Sequence, residues 1–230
     1  MMGPFLTGTK KMKLLLPILI LAPAFICGAQ QTSSAASLSY VDRKDVLGSC
    51  KALLTGVHLD VEEDTGFGSK VDFRWAKNKH FHIVYTNSEI NFKALENDKF
   101  QVKPSLAWKN LWRGVKEDKT RVYSPLNVTS ISSQHGMAYV GAYLDLPLSQ
   151  YLKFSLHPQL FYEAVAVRFV KNVDRFHGRH CQKDSGWAVD GFFEGSIGER
   201  FRYSLGTKYE RAFSGLTTDL LTTVKLTYGF

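Results

Sequence analysis

The sequence predicts an all-β protein, an up-and-down antiparallel β-barrel that crosses a membrane with its strands. Three observations lead to this prediction. Apolar and polar residues alternate along most of the chain, which places each kind on its own face of an extended strand. Short turns alternate with longer polar connections, as in membrane barrels. The N-terminus has the form of an export signal. With 44% hydrophobic and 22% charged residues, the chain is too apolar to be disordered.

Residues 1–29 have the pattern of a secretory signal peptide. Lysines precede an apolar run from Leu14 to Cys27, and small residues follow up to Ala29. The run is shorter than the roughly 20 residues that a membrane-spanning helix needs. We therefore expect cleavage after Ala29. A start at Met12 and lipidation of Cys27 stay open as alternatives.

Residues 30–50 are expected to be a flexible periplasmic lead-in, because 31–39 are rich in Ser, Ala and Thr. Residues 51–230 then form the barrel. Counting back from the C-terminus gives strands near 220–230, 201–211, 187–197, 152–168, 136–146 and 99–109. A hairpin turn at Ser214-Gly215 joins 201–211 to 220–230. Two more strands fill 53–85 if 71–85 is a single strand, and the barrel then has eight. If 76–79 is instead a turn, the barrel has ten, with the extra partner somewhere in 120–133.

The polar rows of these strands contain histidines and charged side chains of both signs. An eight-stranded barrel has an interior just wide enough to be filled by side chains. We therefore expect a structural network of ion pairs and hydrogen bonds in the lumen, with a gated pore or an active site as the alternatives. The expected lumen residues are His58, Asp60, Asp72, Arg74, His157, Glu163, Arg202, Lys208, Glu210 and Lys225.

The alternation alone also fits a soluble sandwich or a lipocalin-like barrel, whose apolar rows face inward. Aromatic residues toward the strand ends favour the membrane barrel, because aromatic girdles lie at the level of the lipid headgroups. The residues expected in such girdles are Trp75, Tyr85, Trp108, Tyr139, Tyr143, Trp187, Tyr209 and Tyr228.

The last strand has the most specific pattern. Val224, Leu226, Tyr228 and Phe230 occupy every second position up to the end of the chain. This resembles the C-terminal signature of Gram-negative outer-membrane β-barrel proteins, whose final strand ends in Phe and is recognised by the barrel-insertion machinery. The size is similar to that of the small OmpA/OmpX-type and opacity-type barrels. The resemblance implies a monomer in the outer membrane, in contact with its lipid and lipopolysaccharide.

No motif predicts a cofactor, a metal ion or a nucleic-acid partner. The donors in 177–184, which include His177, His180 and Cys181, lack a second pair at fixed spacing, so a solvated loop is favoured over a metal site. Cys50 would lie before the first strand, on the periplasmic side, and Cys181 outside, so both are expected to be unpaired. The basic residues are scattered, and no Lys/Arg-rich run predicts nucleic-acid binding.

No catalytic motif is apparent either. Ser132, Ser133 and His135 are close in sequence, but neighbours on one strand or loop rarely reach the geometry of a nucleophile and its base. The sequence therefore favours a barrel with a structural, surface-interaction or adhesion role through its external loops and with no dedicated catalytic site. Three alternatives remain: a barrel enzyme that modifies lipid A or phospholipid, a secreted soluble barrel that binds a small apolar ligand, and a narrow pore.

Overall fold

The structure is a computed structural model that describes residues 31–62, 66–77, 81–97, 99–115, 128–171, 177–198 and 200–229. The segment expected to be a signal peptide lies outside these residues, as does Phe230. Within the described part of the chain, no helix is long and apolar enough to span a membrane.

The described residues form eleven strands. They are β1 (Gln31–Asp45), β2 (Gly48–Glu62), β3 (Phe67–Lys77), β4 (Phe81–Phe92), β5 (Leu95–Glu96), β6 (Gln101–Val115), β7 (Val128–Ser149), β8 (Leu152–Lys171), β9 (His177–Ile197), β10 (Phe201–Ala212) and β11 (Thr218–Gly229). All pairings are antiparallel. β11 pairs with β1 and β4 with β6, so ten strands form a closed barrel, and the short β5 lies beside β6.

The barrel has two different ends. At one, the terminal end, lie Gln31 and Gly229 with the ends of β2, β4, β7 and β9 at Glu62, Phe92, Ser149 and Ile197. At the other, the loop end, lie the ends of β1, β3, β6, β8 and β10 at Asp45, Lys77, Val115, Lys171 and Ala212. In membrane barrels the side with the tighter turns faces the periplasm.

The prediction of a barrel is confirmed, but with ten strands instead of the favoured eight. The expected strand at 71–85 is split, because β3 ends at Lys77 and β4 begins at Phe81. The extra partner was expected in 120–133, and this was wrong, since the described part of that segment begins β7. The missing strand is β1, in the segment expected to be a flexible lead-in.

The small side chains of β1 explain why its sequence resembles a linker. Ala35, Ser37 and Ser39 are buried and face the interior, where longer side chains from other strands fill the space. Leu38 and Tyr40 alternate with them on the outer face and are 48% and 43% exposed. The Ser/Ala-rich composition therefore reflects close packing inside the barrel.

Two hairpins at the loop end depend on glycine. β1 and β2 are joined by a two-residue turn, after which Gly48 adopts φ +83° opposite Asp45. In the β10–β11 hairpin, which the sequence predicts, Gly215 has φ +74° and donates its N–H to the Ala212 carbonyl at 2.9 Å. A side chain at positive φ would be strained at either position.

The outer face of the barrel is apolar all the way round. Each of the ten barrel strands has at least two exposed large hydrophobic side chains, among them Leu38, Val57, Phe73, Ile90, Leu106, Val140, Leu160, Phe193, Leu205 and Leu226. One predicted position is inverted. Tyr85 was expected in an outward aromatic girdle, but it is buried inside together with Ile83. Phe73 and Trp75 of β3 are exposed, so the outward phase of β3 does not continue into β4, as it would in a single long strand.

Three neighbouring strands extend past the rest of the barrel at the loop end. β7, β8 and β9 have 22, 20 and 21 residues, whereas a tilted strand needs about 9–11 to cross a bilayer. β9 pairs with β10 only from Gly186 onward, although its pairing with β8 begins at His177. We call this extension, residues 128–131 of β7, 165–171 of β8 and 177–185 of β9, the projecting sheet.

The position of β1 predicts a specific cross-link. Ala36 on β1 lies directly opposite Leu226 on β11, and facing Cβ atoms on adjacent strands lie within disulfide reach. With the native cysteines replaced by Ser, the pair Ala36→Cys and Leu226→Cys should become cross-linked on mild oxidation, as seen by the shifted mobility of the unreduced, denatured chain on gels.

The matched control moves one cysteine by one strand. Tyr203 on β10 lies opposite Leu226 but is separated from β1 by β11. Ala36→Cys with Tyr203→Cys should give no intramolecular disulfide. Efficient cross-linking of the control pair, or none of the first pair in folded protein, would contradict the ten-stranded closure.

Candidate functional site

The interior of the barrel consists of a packed half at the loop end and an open half at the terminal end. The packed half contains three apolar clusters, which include Val41, Leu54, Ile83 and Met137 with no exposed surface. Together with the charged groups between them, the described side chains fill this half of the lumen.

Arg43 is the centre of the packed half. Its Nε donates to Asp45 Oδ2 at 3.0 Å, and its Nη1 donates to Asp219 Oδ2 at 3.1 Å. Its Nη2 lies 3.1 Å from His135 Nδ1 and 3.7 Å from Glu163 Oε1. The guanidinium of β1 is thus linked to β7, β8 and β11, with all five side chains almost completely buried. We call these five residues the Arg43 network.

A second set of ion pairs lies beside this network. Glu210 Oε2 accepts from Lys109 Nζ at 2.6 Å, and Glu210 Oε1 accepts from Tyr139 Oη at 2.9 Å. Lys208 Nζ lies 3.0 Å from Glu210 Oε1. A buried charge is stable only when it is paired and hydrogen-bonded, so these contacts hold each carboxylate in place.

Three of the residues expected in aromatic girdles are inside the barrel. Tyr85 donates to Asp219, Tyr139 to Glu210 and Tyr143 to Glu89, at 3.1, 2.9 and 2.6 Å. Their hydroxyl groups donate to buried carboxylates on other strands, which explains their inward orientation. The girdle prediction was therefore wrong for these three tyrosines, whereas Trp75, Trp108 and Trp187 lie on the outer face.

The open half is a cavity in two parts. A vestibule of about 690 Å³ lies at the terminal end. It leads into an inner chamber of about 160 Å³, because Asp60, Lys70, Tyr143, Phe192 and Lys225 line both parts. Beyond the inner chamber the interior is packed, so the cavity is closed toward the loop end.

The expected lumen residues are distributed over both halves. His58, Asp60, Asp72, Arg74, His157, Lys208 and Lys225 line the inner chamber. Glu163 and Glu210 belong to the packed half. The side chain of Arg202 is 56% exposed, lines the vestibule and lies 4.0 Å from Glu194, so it belongs to the rim and not to the interior.

The vestibule has an excess of positive charge. Its lining contains six basic and four acidic residues. The basic residues are Lys70, Lys103, Lys153, Arg200, Arg202 and Lys225, and the acidic ones are Asp60, Glu62, Asp145 and Glu194. Pairs such as Lys103 with Glu62 and Lys225 with Asp60, at 3.4 and 3.2 Å, hold the charges at the wall. Such a lining favours anions over cations in the cavity.

The sequence prediction missed the residues that close the loop-end half. Arg43 and Asp45 were assigned to the lead-in, although they share the inward phase of Ser37 and Ser39. His135 was noted but not placed in the lumen. Lys109 lies on the strand expected at 99–109, whereas Asp219 lies just before the strand expected at 220–230. Only the register between distant strands shows that these groups meet.

The serine and histidine of β7 do form the geometry that was judged improbable. Ser133 Oγ lies 3.1 Å from His135 Nε2, and Glu163 Oε1 lies 2.6 Å from Nδ1. Sequence neighbours reach this geometry here because Glu163, on the adjacent strand β8, contacts Nδ1 and orients the His135 ring. At 2%, 0% and 0% exposure, however, these residues are sealed from any substrate.

The two cysteines among the described residues, Cys50 and Cys181, are both free and both lie toward the loop end. Cys50 is buried on β2, opposite Arg43, and Cys181 is exposed on β9. The expected periplasmic position of Cys50 was wrong, because β1 already carries the chain across the barrel before it. In the segment 177–184, the side chains of His177 and His180 lie outside the described residues.

Comparison with known proteins identifies the fold. The outer-membrane protease OmpT from Escherichia coli is similar, with a TM-score of 0.61 and 8% identity over 88% of this chain and 98% of that one. This chain has the fold of outer-membrane β-barrel proteins. At this identity, the likeness shows the fold alone. The resemblance to Gram-negative outer-membrane barrels is thus confirmed.

Two further solved structures align with lower TM-scores. Ail, the attachment invasion locus protein of Yersinia pestis, in complex with the heparin analogue sucrose octasulfate, has a TM-score of 0.47 and 12% identity over 87% of this chain and 98% of that one. Neisserial surface protein A has a TM-score of 0.42 and 12% identity over 89% of this chain and 100% of that one. No family model and no curated protein matches the sequence.

Removal of Arg43 should strongly destabilise the barrel. Arg43→Met leaves Asp45, Glu163 and Asp219 as buried carboxylates without their central cation, and breaking a buried ion pair in this way costs about 3–5 kcal/mol. The measurement is the free energy of unfolding from urea titration in detergent micelles, followed by tryptophan fluorescence.

The matched control removes a cation from an exposed pair. Lys51 Nζ lies 3.2 Å from Asp42 Oδ2, with side chains 65% and 39% exposed. Lys51→Met should leave the free energy of unfolding nearly unchanged, because an exposed ion pair contributes little to stability. Equal effects of the two substitutions would show that the Arg43 network does not stabilise the fold.

Proposed function

We propose that this protein is an outer-membrane β-barrel with a closed lumen that presents its projecting sheet at the cell surface. The observation that supports a membrane location is the continuous apolar outer face. Monomeric soluble proteins rarely expose contiguous apolar patches larger than a few hundred Å². Here every barrel strand contributes exposed hydrophobic side chains to the outer face. Barrel closure also satisfies the backbone hydrogen bonds that hydrocarbon cannot.

The alternative of a soluble barrel with an apolar ligand requires the opposite arrangement. In such a protein, apolar side chains line the cavity and polar ones face water. Here the cavity is lined mainly by charged and polar residues such as His58, Asp72 and Lys208, while leucines and aromatic residues lie outside. The packed loop-end half also disfavours the narrow pore, because ions would have to cross the Arg43 network and the apolar clusters.

The projecting sheet supports a role in surface interaction. Ser185 on its β9 edge accepts a hydrogen bond from the Phe213 N–H at 2.8 Å, and, among the described residues, 177–184 of β9 have no ladder partner on the side of β10. An exposed strand edge is a surface for binding. Residues 168–185 contain five basic residues and two acidic ones, Asp174 and Asp184. The basic residues are Arg168, Lys171, Arg175, Arg179 and Lys183. We propose that this region contacts anionic saccharide, as in lipopolysaccharide or the surface polysaccharide of a host cell.

The membrane location predicts the effect of a charge on the outer face. Leu160 is 58% exposed in the middle of β8. Leu160→Arg should destabilise the barrel folded in phospholipid vesicles, reducing its free energy of unfolding by about 2–4 kcal/mol, the cost of Arg near the bilayer midplane. Leu160→Met is the control and should have little effect. Equal stability of the Arg variant would show that this face contacts water.

The proposed saccharide contact predicts a dependence on charge and salt. A variant with Arg168→Gln, Arg175→Gln, Arg179→Gln and Lys183→Gln should bind immobilised heparin at least tenfold more weakly than the unaltered protein. The salt dependence of its binding should also be weaker, because fewer cations contact the polyanion. Surface plasmon resonance of the protein in nanodiscs measures both quantities.

A second variant removes the same charge at the other end. Lys103→Gln, Lys153→Gln, Arg200→Gln and Arg202→Gln alter only the vestibule and should leave heparin binding unchanged. Loss of binding in both variants would indicate a net-charge effect, and unchanged binding in the first would exclude the projecting sheet as the contact.

A further inference from the structure

Three serine–histidine hydrogen bonds occur among the described residues of the barrel interior. Ser133 Oγ lies 3.1 Å from His135, Ser105 Oγ lies 2.7 Å from His157, and Ser37 Oγ lies 2.7 Å from His58, each measured to Nε2. A hydrolytic site needs such a pair, a carboxylate on the second ring nitrogen and access for a substrate. The three pairs differ in these two requirements.

Two of the pairs meet only one requirement each. Ser133 and His135 have the carboxylate of Glu163 but no access, because all three are sealed in the packed half. His157 lines the inner chamber, but its ring stacks on Tyr143 at a centroid distance of 3.6 Å, and no described carboxylate lies within ion-pair distance of it. These pairs are best explained as structural.

The third pair has the carboxylate, and its histidine reaches the cavity. Asp72 Oδ1 lies 3.3 Å from His58 Nδ1, and His58 and Asp72 line the inner chamber, which shares five lining residues with the vestibule. Ser37 is 9% exposed and lies directly behind this wall, 2.7 Å from His58 Nε2. With the Nδ1 proton directed at Asp72, His58 Nε2 is free to accept the proton of Ser37. Hydrogen bonds between catalytic groups are often long before substrate binds, so 3.3 Å is within the useful range.

The neighbouring residues hold this arrangement in place. Arg74 Nη2 lies 2.7 Å from Asp72 Oδ2 and Arg74 Nε donates to Oδ1 at 3.1 Å, which orients the carboxylate. Gly56 lies opposite Ser37 on β2, and a Cβ atom there would come within 2.6 Å of Ser37 Oγ. The missing side chain therefore leaves room for the hydroxyl group of Ser37.

A cation lies on the other side of the serine. Lys225 is the residue directly opposite Ser37 on β11, and it lines both the inner chamber and the vestibule. Its Nζ is held 3.2 Å from Asp60 Oδ2. An ammonium group in this position can stabilise negative charge that develops beside Ser37.

We propose that Ser37, His58 and Asp72 form a hydrolytic site for short anionic carboxylic esters that enter from the terminal end. Ser37 Oγ attacks the ester carbonyl carbon and His58 Nε2 takes the hydroxyl proton. The bond from carbon to the leaving oxygen then breaks, and His58 gives this proton to the departing alcohol. Water, deprotonated by His58, attacks the acyl-serine, and the proton returns to Ser37 as the acid leaves. Lys225 binds the oxyanion in both steps.

The cavity selects the substrate by size and charge. An inner chamber of about 160 Å³ accepts a short acyl group and excludes a long lipid chain, whereas the vestibule of about 690 Å³ accepts the alcohol portion. The excess of basic residues in the vestibule favours an anionic group on the substrate. Because the Arg74 guanidinium is paired with Asp72, we assign Lys225 as the cation beside the reacting carbonyl.

Covalent labelling tests this proposal directly. Diisopropyl fluorophosphate, which is small enough for the cavity, phosphorylates activated serines and releases fluoride. The folded protein in detergent should acquire a single adduct, mapped to Ser37 by peptide mass spectrometry. His58→Gln should slow labelling by about 100-fold, the usual contribution of a general base. Ser133→Ala and Ser105→Ala should label at the rate of the unaltered protein.

Hydrolysis of two chromogenic esters tests the charge preference. 4-Nitrophenyl hemisuccinate should be hydrolysed with a higher kcat/KM than 4-nitrophenyl acetate, and Lys225→Met should abolish this preference. Ser37→Ala should abolish hydrolysis of both esters above background. The adduct map on the unaltered protein decides the question independently of any effect of Ser37→Ala on folding.

Either of two results would overturn the proposal: no adduct on protein whose heat-modifiable gel mobility proves that it is folded, or an adduct on a residue other than Ser37. An equal rate for the two esters, with Ser37 labelled, would overturn the anionic substrate class. None of these outcomes bears on the projecting sheet, so the proposed surface role is tested separately.

Discussion

The pairing of the first barrel strand with the last is the constraint on which the rest of the structure depends. β1 and β11 are hydrogen-bonded from Ser33 opposite Gly229 to Lys44 opposite Thr218. This pairing separates an inner face from an outer face and brings Arg43 next to Asp219, which lies 176 positions further along the sequence. It also places Lys225 beside Ser37. Without closure, neither the Arg43 network nor the approach of Lys225 to Ser37 exists.

The two halves of the interior show how buried charge is tolerated in such a barrel. In the packed half, Arg43 and Lys109 are surrounded by carboxylates at hydrogen-bond distance, so the desolvation of each group is offset by several partners. In the open half, the charges lie along a wall that borders a cavity, and water can complete their hydrogen bonds. Rigid packing and an accessible chamber therefore occur in one lumen without conflict.

The alternating pattern was sufficient to predict the barrel, the outward position of Val224 and Leu226, and the β10–β11 hairpin. It was insufficient for β1, because an inward row of Ala35, Ser37 and Ser39 lacks the contrast on which pattern recognition depends. Nor could it indicate which charges meet. His58 and Asp72 become neighbours through the register of β2 on β3, and register depends on all the side chains of both strands at once. The candidate site was therefore predicted as a set of polar residues but not as an arrangement.

The junction of β1 with β11 also has a kinetic consequence. The two strands are the most distant partners along the sequence, and long-range pairings of this kind form slowly. A nascent barrel that lacks β11 exposes the hydrogen-bonding edges of both β1 and β10, which are templates for association with other chains. Closure of the barrel is thus expected to be all-or-none, because neither edge is protected until the final strand has paired.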